Sequence, residues 1–283
     1  MKLDIYRSAW GLVGKGNAYK TLMGFVDSAH EEDYVGVEFP LFQMDGESAG
    51  REATEELLLA KLSEYQMKYI PLFATWPEDF SSYKQHLAGY RAQCEQAQKL
   101  GVKKAVVHAG ADSMGVEKGA RFLSECIAIA NDNGIQACFE THRARILYNP
   151  YNTIELLDRL PDLVLTTDLS HWLVVLDRWP FDALSLFEYA STRAAHFHGR
   201  VGHEKAPQCT EPSEPKWEKH VALFKSWWEI TVNTARINNQ PISATPEFGP
   251  FHYMHHDPFT DNPSADIVKV NRWMREQLDL WFN

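Results

Sequence analysis

The sequence predicts a single (β/α)8 TIM barrel spanning residues 1–283, and three observations carry that reading. Eight short apolar runs alternate with longer segments of helical period, the pattern of parallel strands joined by helical crossovers. The last four runs each close on a carboxylate or a histidine: Glu140 in QACFETHR, Asp168 in VLTTDLSHW, His198 in AAHFHGR and Glu247 in ISATPEFGP. No long linker and no internal repeat divides the chain. A doubly wound open sheet gives a similar local pattern and stays open at this level.

In order, the strands are read near LDIYRSA, YVGVEF, KYIPLFA, KAVVHAG, QACFETH, LVLTTD, AAHFHGR and SATPEFG. Residues 78–99 form a helix with Phe80, Tyr83, Leu87, Tyr90 and Cys94 on one stripe and Gly101 as its stop. A second helix from Val116 to Asn131 gathers Phe122, Leu123, Cys126, Ile127 and Ala130, with Gly134 after its end. A third opens at Asn152, whose side chain caps while Glu155 follows as in a capping box. The last, from Ser264 to Trp281, uses Ile267, Val270, Trp273, Met274, Leu278 and Trp281 to seal the outer wall. Residues 201–216, with three prolines among polar residues, are a loop after the seventh strand and a candidate lid.

Composition narrows the function. With 45% hydrophobic and 23% charged residues the chain is an ordinary globular one. A formal charge of -10 opposes nucleic-acid binding, which needs clustered Lys and Arg, and favours a small polar substrate. The start MKLDIYRSAWGL lacks a secretion signal and no run is apolar enough to span a bilayer, so a cytoplasmic location is expected. Cys94, Cys126, Cys138 and Cys209 show no paired spacing and read as reduced filler. Trp227, Trp228 and the Trp-rich final helix are candidates for a homo-oligomer surface as well as for core.

In a barrel the carboxyl ends of all strands converge, so Glu140, Asp168, His198 and Glu247 meet around the axis. Charged groups are depleted in strands and are costly to bury alone, and four together point to one shared divalent metal ion. Three hard oxygens and one imidazole suit Mn, Mg, Co or Zn. His171, three residues past Asp168, and His108, ending KAVVHAG, face the same pocket as candidate substrate contacts. Arg200 alternates with His198 and is a fixed positive charge for a substrate oxygen, or else pairs with a ligating carboxylate. Glu38, His142 and Arg143 are weaker candidates of that kind, and His196 is expected behind the ligands. Trp10, Phe39, Phe42, Trp76, Trp172 and Phe248 fall at strand ends, where aromatics wall a sugar ring or carbon chain. His252, His255 and His256 read as a wet loop rather than a second metal site.

These segments resemble the xylose isomerase-like TIM barrel superfamily, on the motifs VVHAG, CFETH, TTDLSH, HFHGR and TPEFGP taken in order along nearly the whole chain. The resemblance to its ketose epimerases implies that Glu140, Asp168, His198 and Glu247 hold one divalent metal. It also implies that Glu140 and Glu247 move the proton and that His171 and Arg200 hold substrate oxygens. Two positions depart from relatives: Arg200 stands only two residues beyond His198, and the frequent H-x-K-D becomes His198, Gly199, Arg200, Val201. The implied activity is isomerisation or epimerisation of a sugar or polyol ketone through an enediolate. A dehydratase, decarboxylase or keto-glycoside lyase using the same chemistry is the alternative, and a noncatalytic sugar-binding role is another. An abasic-site endonuclease is disfavoured because LFATW ends without a histidine, the D-x-H after His198 is missing and the chain is acidic.

Overall fold

The computed structural model describes residues 2–44 and 55–283. Among them, eight parallel strands close into a barrel in chain order. They are β1 (Asp4–Ser8), β2 (Gly36–Pro40), β3 (Lys68–Ala74), β4 (Lys104–His108), β5 (Gln136–Glu140), β6 (Leu165–Thr167), β7 (Ala194–Gly199) and β8 (Ser243–Pro246). Asp4 pairs with Ser243 and Ile5 with Ala244, so β8 returns to β1 and the open-sheet alternative is excluded.

Strand alternation sorts side chains between the barrel axis and the outer helices. On β7, Phe197 points outward onto Trp228 with ring centroids 5.6 Å apart, while His196 and His198 point inward and reach Glu38 of β2 across the axis. Tyr6, Ile70 and Val106, with Leu72, form a separate apolar cluster. Gly36 lets β2 lie close to both neighbours, since a Cβ there would stand 2.2 Å from the Lys68 carbonyl oxygen of β3 and 2.6 Å from the Tyr6 ring of β1.

The crossover helices are α1 (Leu22–Glu31), α2 (Glu55–Glu64), α3 (Tyr83–Lys99), α4 (Gly115–Asp132), α5 (Pro150–Arg159), α6 (Leu169–Leu176), α7 (Leu184–Thr192) and α8 (Glu218–Ile237), and α9 (Ile267–Phe282) follows the last strand. Helix α3 begins later than its apolar stripe suggests. Ser82 caps it, and Asp79 folds the preceding residues into a turn by accepting from the Ser81 backbone and hydroxyl. Helix α5 starts earlier than expected: Asn149 is the cap, Pro150 fills the first turn where no N–H is needed, and Asn152 is the donor to that cap. Helix α9 begins at Ile267, capped by Asp266, rather than at Ser264.

Trp227 and Trp228 are not a subunit surface. Both are buried, Trp227 stacked on Phe187 and Trp228 on Phe197 and Trp281. All four cysteines are free and buried. Among the described residues no helix is long and apolar enough to cross a membrane.

Candidate functional site

Glu140 ends β5, Asp168 follows β6, His198 lies in β7 and Glu247 follows β8, so one rim of the barrel carries all four. His198 Nδ1 lies 3.0 Å from Glu247 Oε2, 3.5 Å from Glu140 Oε1 and 3.7 Å from Asp168 Oδ2. One donor atom from each of the four falls within 4.8 Å of the others. Bonds of ~2.1 Å to a common ion place neighbouring ligand atoms about 3.0–3.4 Å apart; the His198–Glu247 pair stands at that spacing, and Glu140 and Asp168 lie slightly beyond it. His198 Nδ1 is buried and makes no hydrogen bond despite those oxygens. An orphaned imidazole nitrogen facing three carboxylates is a donor set that fits a divalent cation.

Local structure fixes each of the four side chains. Asp168 is the N-cap of α6, its Oδ1 accepting from the Ser170 backbone N–H at 3.2 Å, while Oδ2 pairs with Arg200. Arg200 also donates to the Glu247 carbonyl at 3.2 Å and lies 3.5 Å from Glu247 Oε2. Glu140 Oε2 meets His108 Nε2 at 2.7 Å. Burial opposes charge on every one of these groups, but neighbours of opposite sign decide most of them. His108 and His198 hold Glu140 well below the usual carboxylate range against burial, and Arg200 with His198 lowers Asp168 in the same way. For Glu247 burial prevails over His198 and Arg200, and its pKa is raised. The carboxylates of Glu247, Glu140 and Glu38 overcome burial to raise His198 well above an ordinary imidazole.

Above the four clustered residues opens a cavity of about 280 Å³ whose walls include Glu38, His108, His142, Arg200, Trp76 and Tyr253. Trp76 is 67% exposed, stacks on Phe80 at 5.5 Å and rests on the Arg145 guanidinium at 4.1 Å. Trp10 and Phe39 also line the cavity, as their strand-end positions suggest. Trp172 does not: α6 begins directly after Asp168, which turns the indole into the outer core, where Nε1 donates to the Leu147 carbonyl at 2.9 Å. Phe42 is exposed and Phe248 is buried, neither of them lining the cavity.

His171 is fully buried behind His142, with ring centroids 4.1 Å apart, and Arg143 Nε donates to its Nδ1 at 3.0 Å. Burial, with His142 and Arg200 nearby, lowers its pKa well below the ordinary value. His142 itself, pressed at 4.3 Å on His108, is lowered to about 3 by burial and by that neighbour. Glu38 reaches the cavity wall with both oxygens already bonded, Oε1 to His198 and Oε2 to His196 and Thr245. Its carboxylate is therefore turned toward the barrel interior rather than left free for a substrate hydroxyl.

Tyr253, Ser8 and Leu72 line the cavity without having been singled out in the sequence. Tyr253 sits in the irregular segment after β8, packs edge-on to Trp10 at 4.8 Å and covers Arg200 at 5.0 Å. Of the nearby histidines, His256 pairs with Asp261 and His252 packs on Phe251, and neither belongs to a metal-competent group among the described residues. The 201–216 loop is pinned down: His203 bridges Ala206, and buried Gln208 bonds both the N–H and the carbonyl of Gly249. None of its residues lines the cavity.

The sequence matches no curated protein. Solved structures share the fold at low identity. D-allulose 3-epimerase from Methylomonas sp., in complex with D-allulose, is 13% identical with a TM-score of 0.65, covering 99% of this chain and 98% of that one. The 3-keto-D-glucoside 4-epimerase from E. coli is 11% identical with a TM-score of 0.63, covering 99% of this chain and 100% of that one. A probable 3-DHS dehydratase from Bacillus anthracis is 14% identical with a TM-score of 0.60, covering 89% and 94%. The family model described as xylose isomerase-like TIM barrel matches residues 26–205, most of the strands and three of the four clustered residues, and the chain belongs to that family.

Proposed function

We propose that this chain is a divalent-metal-dependent isomerase or epimerase of a sugar or polyol ketone, working by proton transfer at the carbon beside the carbonyl. The observation that carries the reading is the approach of three carboxylate oxygens to the unpartnered His198 Nδ1 at 3.0, 3.5 and 3.7 Å. Glu140, Asp168, His198 and Glu247 would hold the ion, which supplies Lewis acidity toward the substrate carbonyl as the adjacent carbon loses its proton.

Glu140 and Glu247 are the proton-moving pair in this reading. Glu140 ends β5 and Glu247 follows β8, with β6 and β7 between them, so they approach a substrate in the barrel mouth from different sides. One takes the proton and the other returns it, which inverts the carbon. His108 holds Glu140 in place and Arg200 holds Glu247. Trp10, Phe39, Trp76 and Tyr253 offer apolar faces to the C–H side of a sugar, and Arg200 with His108 and His142 offers polar groups to its oxygens. Two fold neighbours named as epimerases of D-allulose and of a 3-keto-D-glucoside are in keeping with this substrate class.

The test is solvent exchange. Metal-stripped protein reloaded with Mn2+ should carry deuterium from D2O into the carbon next to the carbonyl of a keto-sugar panel, and chelation should stop it. Exchange that persists after chelation removes the metal from the mechanism. The second reading, loss of a leaving group or carbon dioxide after the same deprotonation, is favoured by the likeness to the probable dehydratase. Product mass separates the two, since isomers keep the mass of the substrate.

A further inference from the structure

A chain of hydrogen bonds runs through the barrel interior from its amino-terminal end to the back of the metal-competent cluster. Lys104, at the start of β4, donates to the Ala195 carbonyl at 3.0 Å and to Ser243 Oγ at 3.2 Å. Ser243 Oγ meets His196 Nδ1 at 2.8 Å. His196 Nε2 meets Glu38 Oε2 at 3.2 Å, and Glu38 Oε1 meets His198 Nε2 at 3.1 Å. Thr245 Oγ1 adds a second donor, a hydroxyl, to Glu38 Oε2. Glu38, His196 and His198 are all buried.

The donors dictate which way the protons point. An ammonium donates only, so Ser243 accepts from Lys104 and turns its own hydrogen to His196 Nδ1. A neutral His196 then carries its proton on Nε2 and donates it to Glu38. With Oε2 already receiving two donors, Oε1 of the carboxylate is the acceptor for His198 Nε2–H. In the neutral ring that a cation would bind, this leaves the lone pair of His198 on Nδ1, the atom that faces Glu247, Glu140 and Asp168.

We propose that Glu38, oriented by His196, Ser243 and Lys104, is a positioning residue that fixes the Nε2–H tautomer of His198 and so presents Nδ1 to a bound cation. This rests on the metal-holding reading given above. Outer partners of this kind typically change metal affinity by about 10- to 100-fold when removed. Glu38→Gln is the informative change, because an amide has one acceptor end and one donor end. On the Oε2 side the amide nitrogen would face two donors, His196 and Thr245, so it is driven to face His198 Nε2. The His198 proton must then move to Nδ1, into the seat of the ion.

The experiment is calorimetric titration of Mn2+ into stripped wild type, E38Q, S243A and E38Q/S243A. Circular dichroism checks the fold, and long-range 1H–15N spectra of zinc-loaded, 15N-histidine-labelled wild type locate the proton on His198. E38Q should bind about 10- to 100-fold more weakly while staying folded. S243A frees His196 to take its other tautomer, so the double variant should regain part of the lost affinity. The wild-type spectrum should place hydrogen on Nε2 and zinc on Nδ1. Equal affinity in E38Q and wild type, or hydrogen on Nδ1, overturns the chain. A double variant as weak as E38Q overturns its Ser243 and Lys104 arm. If E38Q does not fold, the wild-type spectrum alone decides. A wild type that takes up no cation sinks the functional reading instead, so the two failures are told apart.

Discussion

Asp168 Oδ2 accepts a hydrogen bond from Arg200 Nη2 while lying 3.7 Å from His198 Nδ1, so one carboxylate oxygen serves a fixed guanidinium and a metal-competent cluster together. Both side chains are buried, which makes Arg200 the built-in counter-charge for three crowded carboxylates. Burial would lower the Arg200 pKa, but Asp168 and Glu247 raise it, so it stays a cation throughout.

Replacing Arg200 with Met should destabilise the stripped protein by about 3–5 kcal/mol, the usual cost of leaving one partner of a buried pair alone. Mn2+ should then raise the melting temperature of the variant more than that of wild type, because the added ion supplies the missing charge. Matched melting curves for the two proteins, with matched metal shifts, would contradict this role.

Glu140→Gln and Glu247→Gln should each cut proton exchange by about 10²- to 10⁴-fold, the range for loss of a general acid or base. The assay is deuterium incorporation at saturating Mn2+, with calorimetry confirming that the ion is bound. A Glu247→Gln enzyme that exchanges at the wild-type rate would remove that carboxylate from the chemistry.

One ion per chain is expected by elemental analysis of protein reloaded with excess Mn2+. Among the described residues two other groups share members with the quartet, Glu38 with His196 and His198, and Glu140 with His108 and His142. In the first, the carboxylate is saturated by donors; in the second, Glu140 Oε2 is occupied by His108 at 2.7 Å. A content of two ions would show that the His108 and His142 wall opens to take a metal of its own.

The barrel was legible in the sequence because strand and helix periods differ and the alternation repeats along the chain. The quartet was legible for a related reason: Glu140, Asp168, His198 and Glu247 each break an apolar run at its carboxyl end, where the cost of burying charge makes them conspicuous. What stayed hidden depends on contacts distant in sequence. Whether Glu38 is free for substrate is decided by His196 and His198, 158 and 160 residues away. Tyr253 lies in a loop with no period to read, and Trp172 was misplaced because α6 opens immediately at its Asp168 cap. Asn152 looked like a cap on composition, yet Pro150 can occupy only the first turn and moves that role to Asn149.

Trp76→Ala should raise KM by about 2- to 12-fold with kcat unchanged, from an aromatic contact of ~0.5–1.5 kcal/mol. The ring is exposed at the cavity wall and takes no part in the hydrogen bonds of Glu140, Asp168, His198 and Glu247. Steady-state kinetics on the substrate found by the exchange assay decides it. A fall in kcat at constant KM would mean that the indole acts on the transition state rather than as a passive wall.

His86 gives a stability effect independent of the site. Its ring is buried between Phe80 and Phe122, with Nδ1 at Thr75 Oγ1 and Nε2 2.8 Å from the Phe80 carbonyl oxygen. Burial, aided by the Arg145 charge, lowers its pKa below 6.5 although the Phe80 carbonyl opposes the shift. Between that lowered value and the unfolded value near 6.5 the unfolded chain binds more protons, so stability rises with pH across this window. The contribution is complete above the unfolded pKa and is lost as pH falls toward the folded one, at up to ~1.4 kcal/mol per unit. Urea unfolding of stripped protein between pH 7.5 and pH 5 should therefore show a steeper loss for wild type than for His86→Gln. Parallel slopes would place the acid sensitivity elsewhere, among the depressed histidines His142, His171 and His196.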